Sequence, residues 1–226
     1  MQFSLIIGVG GSKSGTGKTT FIESFIRFIK NLNERVSVIA VKYSKTSFYS
    51  SIITEPSIIG KEGKDTERMK KAGADHVYFI RAKEEDLPEI ADKLKEEIFR
   101  FSHNGTKLNF IIIEGNSMVR VMQPDVIIFF KSKIEEIVKP SGKAIFEIAD
   151  IVIEGDYSME EVMTEIEKIQ QKKLIEKLLK EKSNDGKITC SEARKIAEEL
   201  NVPYIEVGKM ANELKIKIRK CELGCF

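Results

Sequence analysis

The chain has 226 residues, 42% of them hydrophobic and 32% charged, with a formal net charge of +2. This balance excludes a disordered polyelectrolyte, and no apolar run approaches the roughly 18 residues that crossing a bilayer demands. The length favours one full domain plus a smaller one, in a protein expected to stay in the cytoplasm.

The chain opens on "FSLIIGVGG", which lacks a basic leader and runs straight into a glycine loop. It reads as a first strand, Phe3 to Val9, and not as a signal peptide. The loop, "SKSGTGKTT" at 12 to 20, precedes a helical stretch from Lys18 to Asn31. Strand, glycine turn and Lys-Thr at a helix start form the phosphate-loop signature, in which backbone N–H groups and the helix N-terminus hold phosphate oxygens. Gly15 and Gly17 allow close approach, and Thr16 and Thr20 complete the cradle. Lys18 reaches the terminal phosphates, while the Thr19 hydroxyl ligates Mg²⁺. The strict pattern wants glycine where this chain has Ser12. A second lysine, Lys13, sits where a variant of the loop sends a lysine to the nucleotide of the facing subunit. The alternative for Lys13 is a solvated lysine that raises the local positive potential.

Further strands are expected at Val36 to Lys42, His76 to Arg81, Leu108 to Glu114, Asp125 to Phe130 and Asp150 to Glu154, several nearly continuous in Ile, Val and Phe. Helices are expected at Asp65 to Ala72 and Glu84 to Phe101. Their alternation predicts an α/β fold, a P-loop NTPase with a wound, mostly parallel sheet, over residues 1–157. "NFIIIEG" ends on Glu114, placed to hold Mg²⁺ or its water shell at a strand terminus.

From Ser158 to Lys182 a long helix is expected to connect or dimerise, with Val162, Ile166, Ile169, Leu174, Leu178 and Leu179 on roughly one side. After the break "SNDG", residues 183–226 have the spacing of a small helix-turn-helix-like domain, with Ala197 in its first helix, Asn201 at a left-handed turn and Val207 in its second. A DNA reader needs Arg, Lys, Asn or Gln early in its second helix, and "PYIEVGKM" offers Tyr204 and Glu206 first. Residues 171–226 hold 13 Lys+Arg against 9 Asp+Glu, an excess that permits nucleic-acid binding without requiring it. Cys190, Cys221 and Cys225 fit reduced thiols or a soft-metal cluster better than a disulfide framework.

Four pieces, "SGTGKTT" at 14 to 20, Lys42, "GKDTERMKKAGA" at 63 to 74 and the strand end "EG" at 114 to 115, resemble the MobB family of molybdopterin guanine dinucleotide synthesis. The resemblance covers about residues 3 to 130. It implies binding of GTP and Mg²⁺ with weak hydrolysis, and a homodimer that serves as adapter to the enzyme attaching a nucleotide to the molybdenum or tungsten cofactor, or to a molybdoenzyme maturation partner. By position it assigns Gly15, Gly17, Lys18 and Thr19 to the phosphates and Mg²⁺, and adds Asp65 and Glu114 to the site. Two features depart from it: the segment after Lys42 reads "YSKTSFYSSIITEPS" where the family is often rich in His, and no N-K-x-D stretch reads guanine.

Lys42 and Asp65 could each be surface charges, and Asp65 could instead be a helix N-cap. Two other functions compete: a nucleotide- or metal-responsive transcriptional regulator using the C-terminal domain, and an ATPase switch using Lys13.

Overall fold

The computed structural model describes residues 4–103, 108–132 and 140–220. Chain contacts divide it into two compact units, Met1–Val162 and Met163–Phe226.

In the first unit the strands β1 (Leu5–Gly11), β2 (Ser37–Lys45), β3 (Ser51–Ile53), β4 (His76–Ala82), β5 (Leu108–Glu114), β6 (Val126–Phe130) and β7 (Ile151–Ile153) form one sheet in the order β3-β4-β2-β5-β1-β6-β7. All pairings are parallel except β3 with β4, so the antiparallel strand is confined to one edge. The helices are α1 (Lys18–Leu32), α2 (Pro56–Ile59), α3 (Asp65–Lys71), α4 (Leu87–His103), α5 (Asn116–Met122) and α6 (Pro140–Phe146). Val38 to Val41 of β2 and Ile111 to Ile113 of β5 are buried on both faces because helices cover both, which is why these stretches run apolar without alternation.

One face packs Ile39 and Val41 of β2, Ile80 of β4 and Ile111 and Ile113 of β5 against Leu87, Leu94, Met118, Val119 and Ile145 of α4, α5 and α6. The other receives α1, whose buried Phe21, Ile22, Phe25, Ile26 and Ile29 recur at helical spacing. Phe21 meets Phe130 with ring centroids 5.2 Å apart, and Phe25 meets Phe110 at 6.1 Å. Phe21 thereby fixes the start of α1 against the C-terminal end of β6, and Phe25 ties the middle of the helix to the N-terminal half of β5. Chain order reverses beside β1, and in such sheets ligands bind at that crevice.

The six sequence-predicted strands are present within a few residues of their expected bounds. β3, α2, α5 and α6 were not anticipated. Asp65 is not the N-cap of α3: Lys64 holds that position, and no side chain caps it.

The long helix α7 spans Met159–Lys182, but its apolar residues do not share one side. Val162 and Ile166 are buried on one azimuth, whereas Ile175 and Leu179 are buried on a roughly opposite one. In the second unit Ile175 and Leu179 pack with Ile188 of β8 (Lys187–Thr189), Ile196 and Ala197 of α8 (Cys190–Leu200), and Val207 and Met210 of α9 (Tyr204–Glu213). A short strand β9 (Lys217–Arg219) pairs with β8 in parallel. A capping box starts α8: the Thr189 hydroxyl accepts from Glu192 N at 3.2 Å, and the Glu192 carboxylate accepts from Thr189 N at 3.0 Å. Asn201, at φ 51 and ψ 47, turns the chain between α8 and α9 in the left-handed region that Asn tolerates. In the first turn of α9 Tyr204, Ile205 and Glu206 are exposed, and Lys209 is paired with Glu206 at 3.0 Å. Cys190 is a free, half-buried thiol; Cys221 and Cys225 lie outside the described residues.

Candidate nucleotide-binding site

The loop between β1 and α1 is shaped by two opposite uses of glycine. At Gly17, φ is 91 and nothing lies within 4 Å of where a Cβ would stand, so the backbone conformation alone demands glycine. At Gly11 the reverse holds: a Cβ would come within 2.8 Å of Thr16 Oγ1 and 3.1 Å of the Phe130 carbonyl oxygen.

Ser12, the departure from the strict motif, is buried and has its own task. Its N–H donates to the Phe130 carbonyl at 3.0 Å, and its hydroxyl accepts from Ser132 N at 3.1 Å. The loop root is thereby tied to the chain after β6. Ser12→Gly removes one side-chain hydrogen bond and adds unfolded-chain entropy, together about 1–2 kcal/mol. A melting temperature lower by several degrees is expected, with nucleotide affinity within about threefold of wild type. A tenfold loss of affinity in a titration would mean instead that the hydroxyl touches phosphate.

Asn116, which the sequence reading missed, braces the same root from β5's side. Its Oδ1 accepts from Gly11 N at 2.9 Å and its Nδ2 donates to the Gly11 carbonyl at 3.0 Å. The only signal in the sequence is an amide residue directly after "EG", on its own too common to mark a site.

Lys18 Nζ donates to the Lys13 carbonyl at 2.7 Å and to Thr16 Oγ1 at 3.1 Å. Both acceptors are neutral, so phosphate oxygens, whose charge-assisted bonds are roughly twice as strong, would draw the ammonium away. Lys13 thus contributes its backbone carbonyl to the loop, a contribution any residue could make; its side chain lines an adjoining cavity of ≈ 600 Å³. Thr20's hydroxyl accepts from Arg68 Nη2 at 3.0 Å, and Arg68 also bonds Glu23, clamping α3 to α1.

Opposite the helix start, Thr19 donates to Glu114 Oε2 at 3.0 Å. Glu114 is only 3% exposed, and its Oε1 lies 2.5 Å from Lys42 Nζ. The same ammonium is 2.6 Å from Asp65 Oδ2. Residues far apart in sequence therefore converge, and Lys42 and Asp65 form this ion triad with Glu114 in place of lying out as surface charges. Burial alone would pull the Lys42 ammonium down; the charge of Glu114 and the bond to Asp65 outweigh it and hold it above the usual lysine range. For Asp65, burial pushes upward but is overcome by the bonds to Lys42 and Thr19 and by the charge of Arg68, so its carboxyl sits below the usual range. Asp65 therefore stays ionised to lower pH, and Lys42 stays charged to higher pH, than either side chain would alone.

A cavity of ≈ 330 Å³ lies over Gly15, Gly17, Lys18, Thr19, Lys42, Asp65 and Glu114, and shares Ser14 and Lys18 with the larger one. Its donor set is a hydroxyl and two carboxylates, hard oxygen ligands of the kind Mg²⁺ takes when phosphates complete its shell. A positively charged nitrogen already sits between the carboxylates, whose paired negative charge favours a cation there. Among the described residues no three His, Cys, Asp or Glu side chains cluster as a self-sufficient metal site. Nor, among the described residues, is any helix long and apolar enough to cross a membrane.

A parallel sheet that delivers a glycine turn, Lys18 and Thr19 to the N-terminus of α1 across from a strand-end glutamate makes this a P-loop nucleotide-binding protein. The sequence matches the family described as MobB, molybdopterin guanine dinucleotide synthesis protein B, over residues 6–151, and the chain belongs to that family. None of the curated proteins matches it. Among solved structures it is similar to apo LpxK from Aquifex aeolicus in complex with ATP, at 19% identity over 67% of this chain and 48% of that one, with a TM-score of 0.38. A ParA family ATPase from Chlorobium tepidum TLS is matched at 10% identity over 95% of this chain and 98% of that one, with a TM-score of 0.34. The match thus spans about half the length of LpxK.

Proposed function

We propose that this chain is a GTP-binding adapter in the synthesis of the guanine dinucleotide form of the molybdenum or tungsten cofactor, acting as a homodimer with weak GTPase activity. The observation that carries the reading is the convergence of Thr19, Asp65, Lys42 and Glu114 beside the P-loop lysine, in a chain of the MobB family. Backbone N–H groups of the loop and the α1 N-terminus take the phosphates, and Lys18 moves onto them from its two loop acceptors. Thr19, backed by Glu114 and Asp65, would hold Mg²⁺, whose charge offsets that of the phosphates. Asn116 and Ser12 keep the loop root fixed while the ligand changes. None of these groups stands out as a base for an attacking water, which fits slow hydrolysis and a role in presenting the nucleotide to a nucleotidyltransferase partner.

Titration of labelled GTP and ATP with Mg²⁺ tests the reading. Micromolar or tighter GTP binding, with GTP preferred and a dimer seen by light scattering, is expected. A clear ATP preference would favour a switch ATPase over the adapter.

A further inference from the structure

A third cavity, of ≈ 410 Å³, lies against the sheet face under α2 and α3, and meets the nucleotide pocket at Lys42 and Asp65. The parallel register sets Lys42 beside Phe79 and Ser44 beside Arg81, so these four side chains share that face. Three exposed cations, Lys61, Lys64 and Arg81, line the cavity. Among the described residues none of the three has a carboxylate partner, whereas the neighbouring Lys42, Lys45, Arg68 and Lys71 all do. The only acid in the lining, Asp65, is already paired with Lys42. Phe79 and the exposed Ile58 supply an aromatic ring and an apolar edge. The volume falls within the range of small-molecule sites.

From this geometry we infer that the cavity binds a phosphate ester carried on a planar heteroaromatic ring. Lys61, Lys64 and Arg81 hold the phosphate, and Phe79 and Ile58 flank the ring. Arginine gives the planar, bidentate recognition suited to phosphate oxygens, and the two lysines add point charge. The inference rests on the proposed function for its biological sense. A pterin guanine dinucleotide is assembled from a guanine nucleotide and a pterin phosphate, and two cavities that meet at Lys42 and Asp65 would present both to one partner.

The test is calorimetric titration of the full chain with 6-hydroxymethylpterin monophosphate, its unphosphorylated alcohol, GMP and inorganic phosphate, each with and without saturating Mg²⁺ and GTP. The pterin phosphate should bind at least tenfold tighter than the alcohol. Arg81→Ala and the Lys61→Ala/Lys64→Ala double variant should each weaken it at least tenfold, while their GTP affinity and melting temperature stay at wild-type values. GMP binding that depends on the same three cations in the presence of GTP would also support the site and make its ring a nucleobase. Unchanged affinity in both variants, no binding, or inorganic phosphate binding as tightly as the pterin ester would overturn it. GTP binding without pterin-phosphate binding defeats this inference alone; Arg81-dependent pterin-phosphate binding without GTP binding defeats the proposed function and leaves the cavity standing.

Discussion

Replacing Lys42 by methionine should lower the melting temperature by roughly 10 °C at neutral pH, and millimolar Mg²⁺ should return part of that loss. Among the described residues Lys42 is the cation held within 2.6 Å of both Asp65 and the buried Glu114. Removing one member of a buried ionic cluster typically costs about 3–5 kcal/mol, because the remaining charges are left desolvated and uncompensated. In a chain of this length each kcal/mol shifts the midpoint by about 2–4 °C. The pH dependence should change sign as well. In the wild type the folded-state pKa of Asp65 is depressed, so its contribution is present above about pH 4 and lost as pH falls through the depressed value. In Lys42→Met burial acts on Asp65 with less to oppose it, its pKa rises, and stability falls as pH climbs through that raised value. Thermal melts at several pH values, with and without Mg²⁺, read both effects. A variant as stable as wild type, indifferent to Mg²⁺, would show that the carboxylates do not depend on this ammonium.

Lys18→Ala should weaken Mg²⁺-nucleotide binding by roughly 100-fold or more with little change in the fold. Deleting one partner of a desolvated, charge-assisted pair costs about 2–5 kcal/mol, and each 1.4 kcal/mol is tenfold in affinity. The bonds that Lys18 makes to the Lys13 carbonyl and Thr16 Oγ1 stay within the loop, so the melting temperature should move by a few degrees at most. Circular dichroism and calorimetric titration separate the two readouts. Retained affinity would move the phosphates elsewhere.

The parallel strands were legible because β-branched runs such as "NFIIIEG" have few other ways to be buried, and α1 was legible from Phe21, Phe25 and Ile29 at helical spacing. The elements that were not legible are short: β3 and β8 have 3 residues each, α2 has 4, and α5 and α6 have 7 each, too few for a period to declare itself. Gly15, Gly17, Lys18 and Thr19 announced themselves through a local motif. Partnership did not. Nothing near Lys42 in sequence shows that it sits between Glu114 and Asp65, and an acid ahead of a helix, as in "GKDTERM", is most simply read as a cap. Arg68, three residues after Asp65, belongs to the same neighbourhood but looks like any charge in a helix. The two sides of α7 were merged because the turn per residue was not carried along the whole helix: Leu179 already falls away from Val162 and Ile166, and the uncounted Ile175 lies beside it.

The placement of Lys42 also bears on how β2 finds its neighbours. Side chains alternate along a strand, so sliding β2 by one residue would carry Lys42 to the opposite face, among Ile80, Leu87 and Met118. An ammonium stranded there, with Glu114 and Asp65 left facing one another, costs far more than the lost strand contacts of an apolar residue making the same slip. Val38 to Val41 are all apolar and would tolerate several alignments with β5; the one irregularity in their pairing falls at the other end, between Ser37 and Val38. The charge at the end of β2 therefore acts as an alignment pin, so the residue that balances the nucleotide pocket also makes the correct sheet the only inexpensive one.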